Sequence, residues 1–110
     1  MSIATELENG NRWLVYIIYC DDGSLYTGIT TDLTRRWLEH SGQVKGAKFF
    51  RGRKPSHVAY IEGGHDRSSA SRREAAIKRL SRVKKEALLG SEHNQVHILG
   101  KALLPISIDK

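Results

Sequence analysis

The 110-residue chain is 39% hydrophobic, holds two prolines and carries a formal charge of +6, which suits one small domain with a modest core and leaves no room for a second. Its longest apolar runs, WLVYIIYC and LLPISI, fall well short of a membrane span, and the opening MSIATELENGNRW lacks the basic start and apolar centre of a signal peptide, so a cytoplasmic location is expected. Cys20 is the single cysteine and no Cys/His cluster has zinc spacing, which excludes an internal disulfide and a cysteine-based metal site.

In chain order, residues 1–11 are expected to form a flexible leader. WLVYIIYC is rich in aromatic and β-branched residues, stops at DDGS and is followed by LYTGIT, which predicts a β-hairpin. TTDLTRRWLEHSG reads as a helix capped by Thr31 or Asp32 and ended at Gly42. QVKGAKFFRGRKP is a glycine-rich basic loop containing Lys45, Lys48, Arg51, Arg53 and Lys54. HVAYIE, bounded by Pro55 and Gly63-Gly64, predicts a third strand, and RSSASRREAAIKRLSRVKKEALLG is helical with a break near Ser81 and a stop at Gly90. The order β-β-α-β-α-α places the chain in the α+β class, a small three-stranded antiparallel sheet flanked by helices over residues 12–89. Residues 90–110 show apolar patches without a pattern and are expected to be a C-terminal tail.

The turn decides where the side chains point. If Asp21-Asp22-Gly23 is a three-residue loop with Gly23 in the left-handed bulge, Ile18 faces Tyr26 and Tyr16 faces Gly28. The two tyrosines are then diagonal neighbours on one face, roughly 7 Å apart, and Gly28 leaves space beside Tyr16 for a ligand. A four-residue loop would send them to opposite faces. On the first helix Leu33, Trp37 and His40 form a stripe toward the sheet; Arg36 lies about 60° from its edge and Arg35 on the opposite side. On the later helix Ala70, Glu74 and Ile77 share a stripe, so a carboxylate stands where an apolar residue would pack better. Two structural roles compete for it: a capping box with Ser71 and an ion pair with Lys78.

Charge is concentrated in the middle of the chain. Between Arg35 and Lys85 fifteen Lys/Arg stand against four acids, a local net charge of +11, which favours a polyanionic partner such as a nucleic-acid backbone.

In combination these segments resemble the GIY-YIG nuclease superfamily. LVY (14–16) and YTG (26–28) correspond to its two name-giving motifs, DLTRRWLEH to its arginine helix and SRREAAIKRL to its glutamate helix. The likeness runs from Leu14 to about Leu89 and is greatest to small stand-alone bacterial proteins of the YhbQ/YazA type, which share the GAK after the first helix and the basic RGRKP-like loop. The resemblance implies the GIY-YIG fold, with Tyr16, Tyr26, Arg36, His40 and Glu74 in the catalytic positions and Gly28 as the motif glycine. Leu14 and Val15 stand in place of the first motif's Gly-Ile, and Lys85-Glu86 lie near the place of an asparagine that many members carry.

It further implies a metal-dependent endonuclease acting on DNA, branched or single-stranded forms included, with a role in DNA repair or processing. Glu74 is the implied sole protein ligand of one Mg²⁺ or Mn²⁺, and Arg36 stabilises transition-state charge. Tyr16 takes a proton from water, assisted by Tyr26 or His40, provided that Arg36 and the metal bring its phenol down by about three pKa units. His40 is the alternative base. Gly28, Arg35, Lys45, Lys48, Arg51, Arg53, Lys54 and Lys78 are the expected nucleic-acid contacts. The competing expectation is a catalytically inactive nucleic-acid-binding module with the same basic surface.

Overall fold

The computed structural model describes residues 12–40 and 54–97, the His40 side chain excepted. Strands β1 (Trp13–Cys20) and β2 (Leu25–Thr30) are followed by helix α1 (Leu33–His40), strand β3 (Pro55–His65) and helices α2 (Arg67–Lys78) and α3 (Arg82–Leu89). The sheet is antiparallel throughout, in the order β2-β1-β3. The expected α+β architecture is therefore present. No helix among the described residues is long and apolar enough to cross a membrane.

The central position of β1 explains its nearly uninterrupted apolar sequence, because both of its faces are covered. Leu14, Tyr16, Ile18 and Cys20 pack in front with Leu33 and Trp37 of α1 and with Val58, Ile61 and Val96. Val15 and Ile17 pack behind with Tyr60 and with Ala70 and Ile77 of α2. The hairpin closes as the bulged three-residue loop: Gly23 has φ 87°, its N–H donates to the Cys20 carbonyl at 2.9 Å, and Cys20 N–H donates to the Ser24 carbonyl at 2.9 Å.

Two local expectations change. The third strand does not stop before Gly63-Gly64 but runs through both to His65, because the register against β1 slips between Val15 and Trp13 and Gly64, at φ 79°, supplies the left-handed residue in that stretch. The capping box of α2 is formed by Asp66 and Ser69, not Ser71 and Glu74: the Asp66 carboxylate accepts from Ser69 N–H at 2.7 Å and the Ser69 hydroxyl accepts from Asp66 N–H at 3.1 Å. Helix α2 therefore starts early enough to carry Glu74 into its interior. The break falls at Ser81, whose hydroxyl accepts from Lys84 N–H at 3.3 Å to cap α3.

The packed unit extends past residue 89. Beside the outer edge of β3, Gln95 N–H donates to the Ile61 carbonyl at 2.7 Å, Gln95 Oε1 accepts from Gly63 N–H at 2.7 Å, and Asn94 Oδ1 accepts from Ile61 N–H at 3.3 Å. Asn94 Nδ2 donates to the carbonyls of Ala59 and Leu89, each at 2.8 Å. These side chains satisfy strand groups that would otherwise lack partners.

Behind the sheet, Glu62 locks α2 to β3. Arg73 Nε donates to both Glu62 oxygens at 3.1 Å, His65 Nε2 lies 2.7 Å from Oε2, and the Tyr60 hydroxyl donates to Oε1. Burial opposes the charged form of Glu62, but the bonds from Tyr60, His65 and Arg73 more than offset it and hold the carboxyl below its ordinary range. A folded-state pKa below the unfolded value means stabilisation that is present at neutral pH and lost as pH falls through about 4.3 and below. Glu62→Gln is expected to cost about 1–2 kcal/mol at pH 7. Urea unfolding at pH 7 and pH 3.5 should show the gap between variant and parent shrinking in acid.

Candidate functional site

The bulged hairpin fixes the register Ile18↔Tyr26 and Tyr16↔Gly28. Tyr16 and Tyr26 consequently share the front face, with ring centroids 6.2 Å apart and planes tilted by 44°. Gly28 is not open to a ligand as expected, nor is it a nucleic-acid contact: it is buried, and the Tyr16 ring fills the space above it. A Cβ there would lie 2.5 Å from Tyr16 Oη and 2.7 Å from its Cζ. The motif glycine therefore lets the phenol lie across the edge strand.

Gly28→Ala is thus expected to push the Tyr16 ring aside, costing about 1–3 kcal/mol as overpacking and about a hundredfold in any turnover that depends on the phenol's position. Melting and cleavage measured on one preparation check this. The stability cost should be smaller in a Tyr16→Leu background, because both substitutions act on one contact.

Helix α1 supplies the cation. Asp32 Oδ1 accepts from Arg35 N–H at 3.0 Å and caps the helix, while Leu33 and Trp37 bury one stripe against the sheet. The rotation this imposes leaves the Arg35 side chain 74% exposed and that of Arg36 33% exposed. Arg36 hydrogen-bonds the Tyr16 phenol, and its Nη1 donates to Glu39 Oε1 at 2.6 Å. Burial works against its charge, but the bonds to Tyr16 and Glu39 more than offset this and hold the guanidinium firmly cationic. Its Nε–H is buried and has no acceptor among the described residues. Glu39, which also pairs with Arg35 Nε at 3.3 Å, was not singled out in the sequence; its i+3 spacing from Arg36 was the available signal.

The expected route to a phenolate does not follow from this arrangement. Burial dominates at Tyr16 and pushes its phenol well above the ordinary value, and the Arg36 hydrogen bond only partly counters it. Tyr16 is therefore a neutral hydroxyl that accepts from Arg36.

Helix α2 lies behind β1 and β2 and brings Glu74 to the site. Ala70 and Ile77 are fully buried, and Glu74 between them keeps 23% of its side chain exposed, with Oε2 3.1 Å from Lys78 Nζ. Its charge is near enough to Tyr16 to contribute to the raised pKa of the phenol. Tyr16, Tyr26 and Arg36 are thus brought together, and Glu74 lies within range for its charge to act on the phenol. His40 ends α1, and its side chain lies outside the described residues, as do Lys45, Lys48, Arg51 and Arg53 entirely. Lys54 is exposed, and its backbone is tied to the hairpin turn by Asp21 N–H donating to its carbonyl at 2.9 Å.

No group of three or more His, Cys, Asp or Glu able to hold a metal occurs among the described residues. A lone half-buried carboxylate does not suit zinc, but it suits Mg²⁺ or Mn²⁺, which keeps several waters and completes its shell with substrate oxygens.

Residues 12–87 match the GIY-YIG catalytic domain. UPF0213 protein DP2720 of Desulfotalea psychrophila is 52% identical over 77 residues, 70% of each chain. UPF0213 protein VNG_2274C of Halobacterium salinarum is 51% identical over 74 residues, 67% of this chain and 95% of the relative. Among solved structures, the solution NMR structure of the UPF0213 protein BH0048 from Bacillus halodurans is 39% identical, with a TM-score of 0.49 over 86% of this chain and 98% of that one.

Proposed function

The chain belongs to the GIY-YIG family, and from that premise we propose that it is a divalent-metal-dependent nuclease hydrolysing DNA phosphodiester bonds. The observation that carries this reading is the Arg36 guanidinium: held by Tyr16 and Glu39, it keeps one buried N–H without an acceptor among the described residues, beside a Tyr16 phenol on which the charge of the Glu74 carboxylate also acts. A phosphodiester oxygen is the acceptor such a donor lacks.

In this reading Arg36 orients the phosphate and stabilises the charge that develops on it. The neutral Tyr16 hydroxyl accepts from Arg36 and so orients the guanidinium toward the phosphate. His40, one turn beyond Arg36, takes the proton from water, since an imidazole titrates near neutrality without a large shift. Glu74 holds the cation, which when bound neutralises charge on the phosphate and leaving oxygen.

Incubation with labelled duplex, single-stranded, flap and branched DNA, and with matched RNA, in Mg²⁺, Mn²⁺ or EDTA tests the proposal. Cleavage of at least one DNA that EDTA abolishes is the expected result. Salt-sensitive binding with no cleavage in either metal would assign the chain instead to non-catalytic nucleic-acid binding.

A further inference from the structure

Lys78 was expected to meet a phosphate, yet its ammonium lies 3.1 Å from Glu74 Oε2. Its side chain is 55% exposed on a four-carbon stem, so it is free to swing, whereas Glu74 sits between two buried positions of the same helix. A divalent cation on this carboxylate and an ammonium 3.1 Å from its Oε2 repel each other, so each weakens the hold of the other. We propose that Lys78 is a displaceable counter-ion of Glu74: it holds the carboxylate while the site is empty and competes with a divalent cation for it.

The inference rests on Glu74 being the metal-holding residue. It gives the site an order of assembly. A nucleic-acid phosphate that draws the ammonium toward itself frees the carboxylate, so phosphate and cation each strengthen the binding of the other, by the same factor. The free protein accordingly binds divalent ions poorly. Residues 78–85 contain Lys78, Arg79, Arg82, Lys84 and Lys85 and no acid, so the displaced ammonium finds no competing carboxylate in that stretch.

The test is Mn²⁺ binding to the full chain without nucleic acid, followed by the electron paramagnetic resonance of free Mn²⁺, with circular dichroism confirming the fold of each variant. Lys78→Met should bind Mn²⁺ about tenfold more tightly than the parent. Lys78→Arg, which keeps the charge, should stay close to the parent. Lys84→Met removes an equal charge from an exposed position on α3 and should change the affinity by less than about twofold. Glu74→Gln should abolish the site. If Lys78→Met matches the parent while Glu74→Gln abolishes binding, the counter-ion role is overturned and the metal-holding role stands. Equal tightening by Lys78→Met and Lys84→Met would reduce the effect to general charge and likewise overturn it. Unchanged binding in Glu74→Gln would remove the metal-holding role, and the counter-ion role with it.

Discussion

Replacing Arg36 by alanine is expected to lower turnover of bound DNA about a thousandfold, the scale of losing a preorganised donor to transition-state charge. The Arg35 variant should keep turnover within a few fold and lose affinity instead. The two arginines are adjacent and both pair with Glu39, but only Arg36 reaches the Tyr16 phenol. Arg35, with its side chain 74% exposed, is suited to a backbone phosphate at the rim. Single-turnover kinetics at saturating protein separate the two effects, because saturation removes differences in binding. A thousandfold loss of the saturated rate in both variants would show that helix rotation does not divide their roles.

Glu74→Gln should abolish Mg²⁺- or Mn²⁺-dependent cleavage while leaving the fold intact. The substitution keeps the shape of the side chain and removes its charge, so the melting temperature should change little: an i, i+4 helix ion pair such as that with the half-exposed Lys78 contributes only about 0.3–0.5 kcal/mol. DNA affinity measured in EDTA should be unchanged or slightly higher, because one negative charge beside the phosphate position is gone. A mildly destabilised variant that still cuts DNA would return Glu74 to the role of a helix ion-pair residue. The Asp66–Ser69 box makes that outcome interpretable, since Glu74 is not part of the helix start and its loss cannot unravel α2 from that end.

The hairpin and the arginine helix were legible in the sequence because each rests on a local rule. Gly23 supplies the left-handed residue that a three-residue loop needs, and this sets the register of Tyr16 and Tyr26; Leu33 and Trp37 set the rotation of α1 and so separate Arg36 from Arg35. What escaped depends on distant partners. A glycine at position 28 announces space but not its occupant, which is settled by how the Tyr16 ring lies across β2. The raised pKa of Tyr16 follows from burial by layers that come from several elements. The Glu62 cluster joins Tyr60, His65 and Arg73 from a strand, its end and a helix, at spacings that match no single period. Asn94 and Gln95 lie in a stretch with no periodicity because they act on a strand edge rather than forming an element.

That last arrangement bears on what the sheet edge offers to another chain. Strand β3 is an outer strand of the sheet, and the carbonyls of Ala59 and Ile61 and the N–H groups of Ile61 and Gly63 are occupied by Asn94 and Gln95. A chain cut after residue 89 would keep Tyr16, Tyr26, Arg36 and Glu74 but present those four groups to solvent along a strand whose neighbouring side chains are apolar. Such an edge is a template for another copy's strand. The shortened protein is then expected to self-associate as its concentration rises, with the added strand pairing visible as a gain in β-sheet signal, although it lacks no residue assigned to the chemistry.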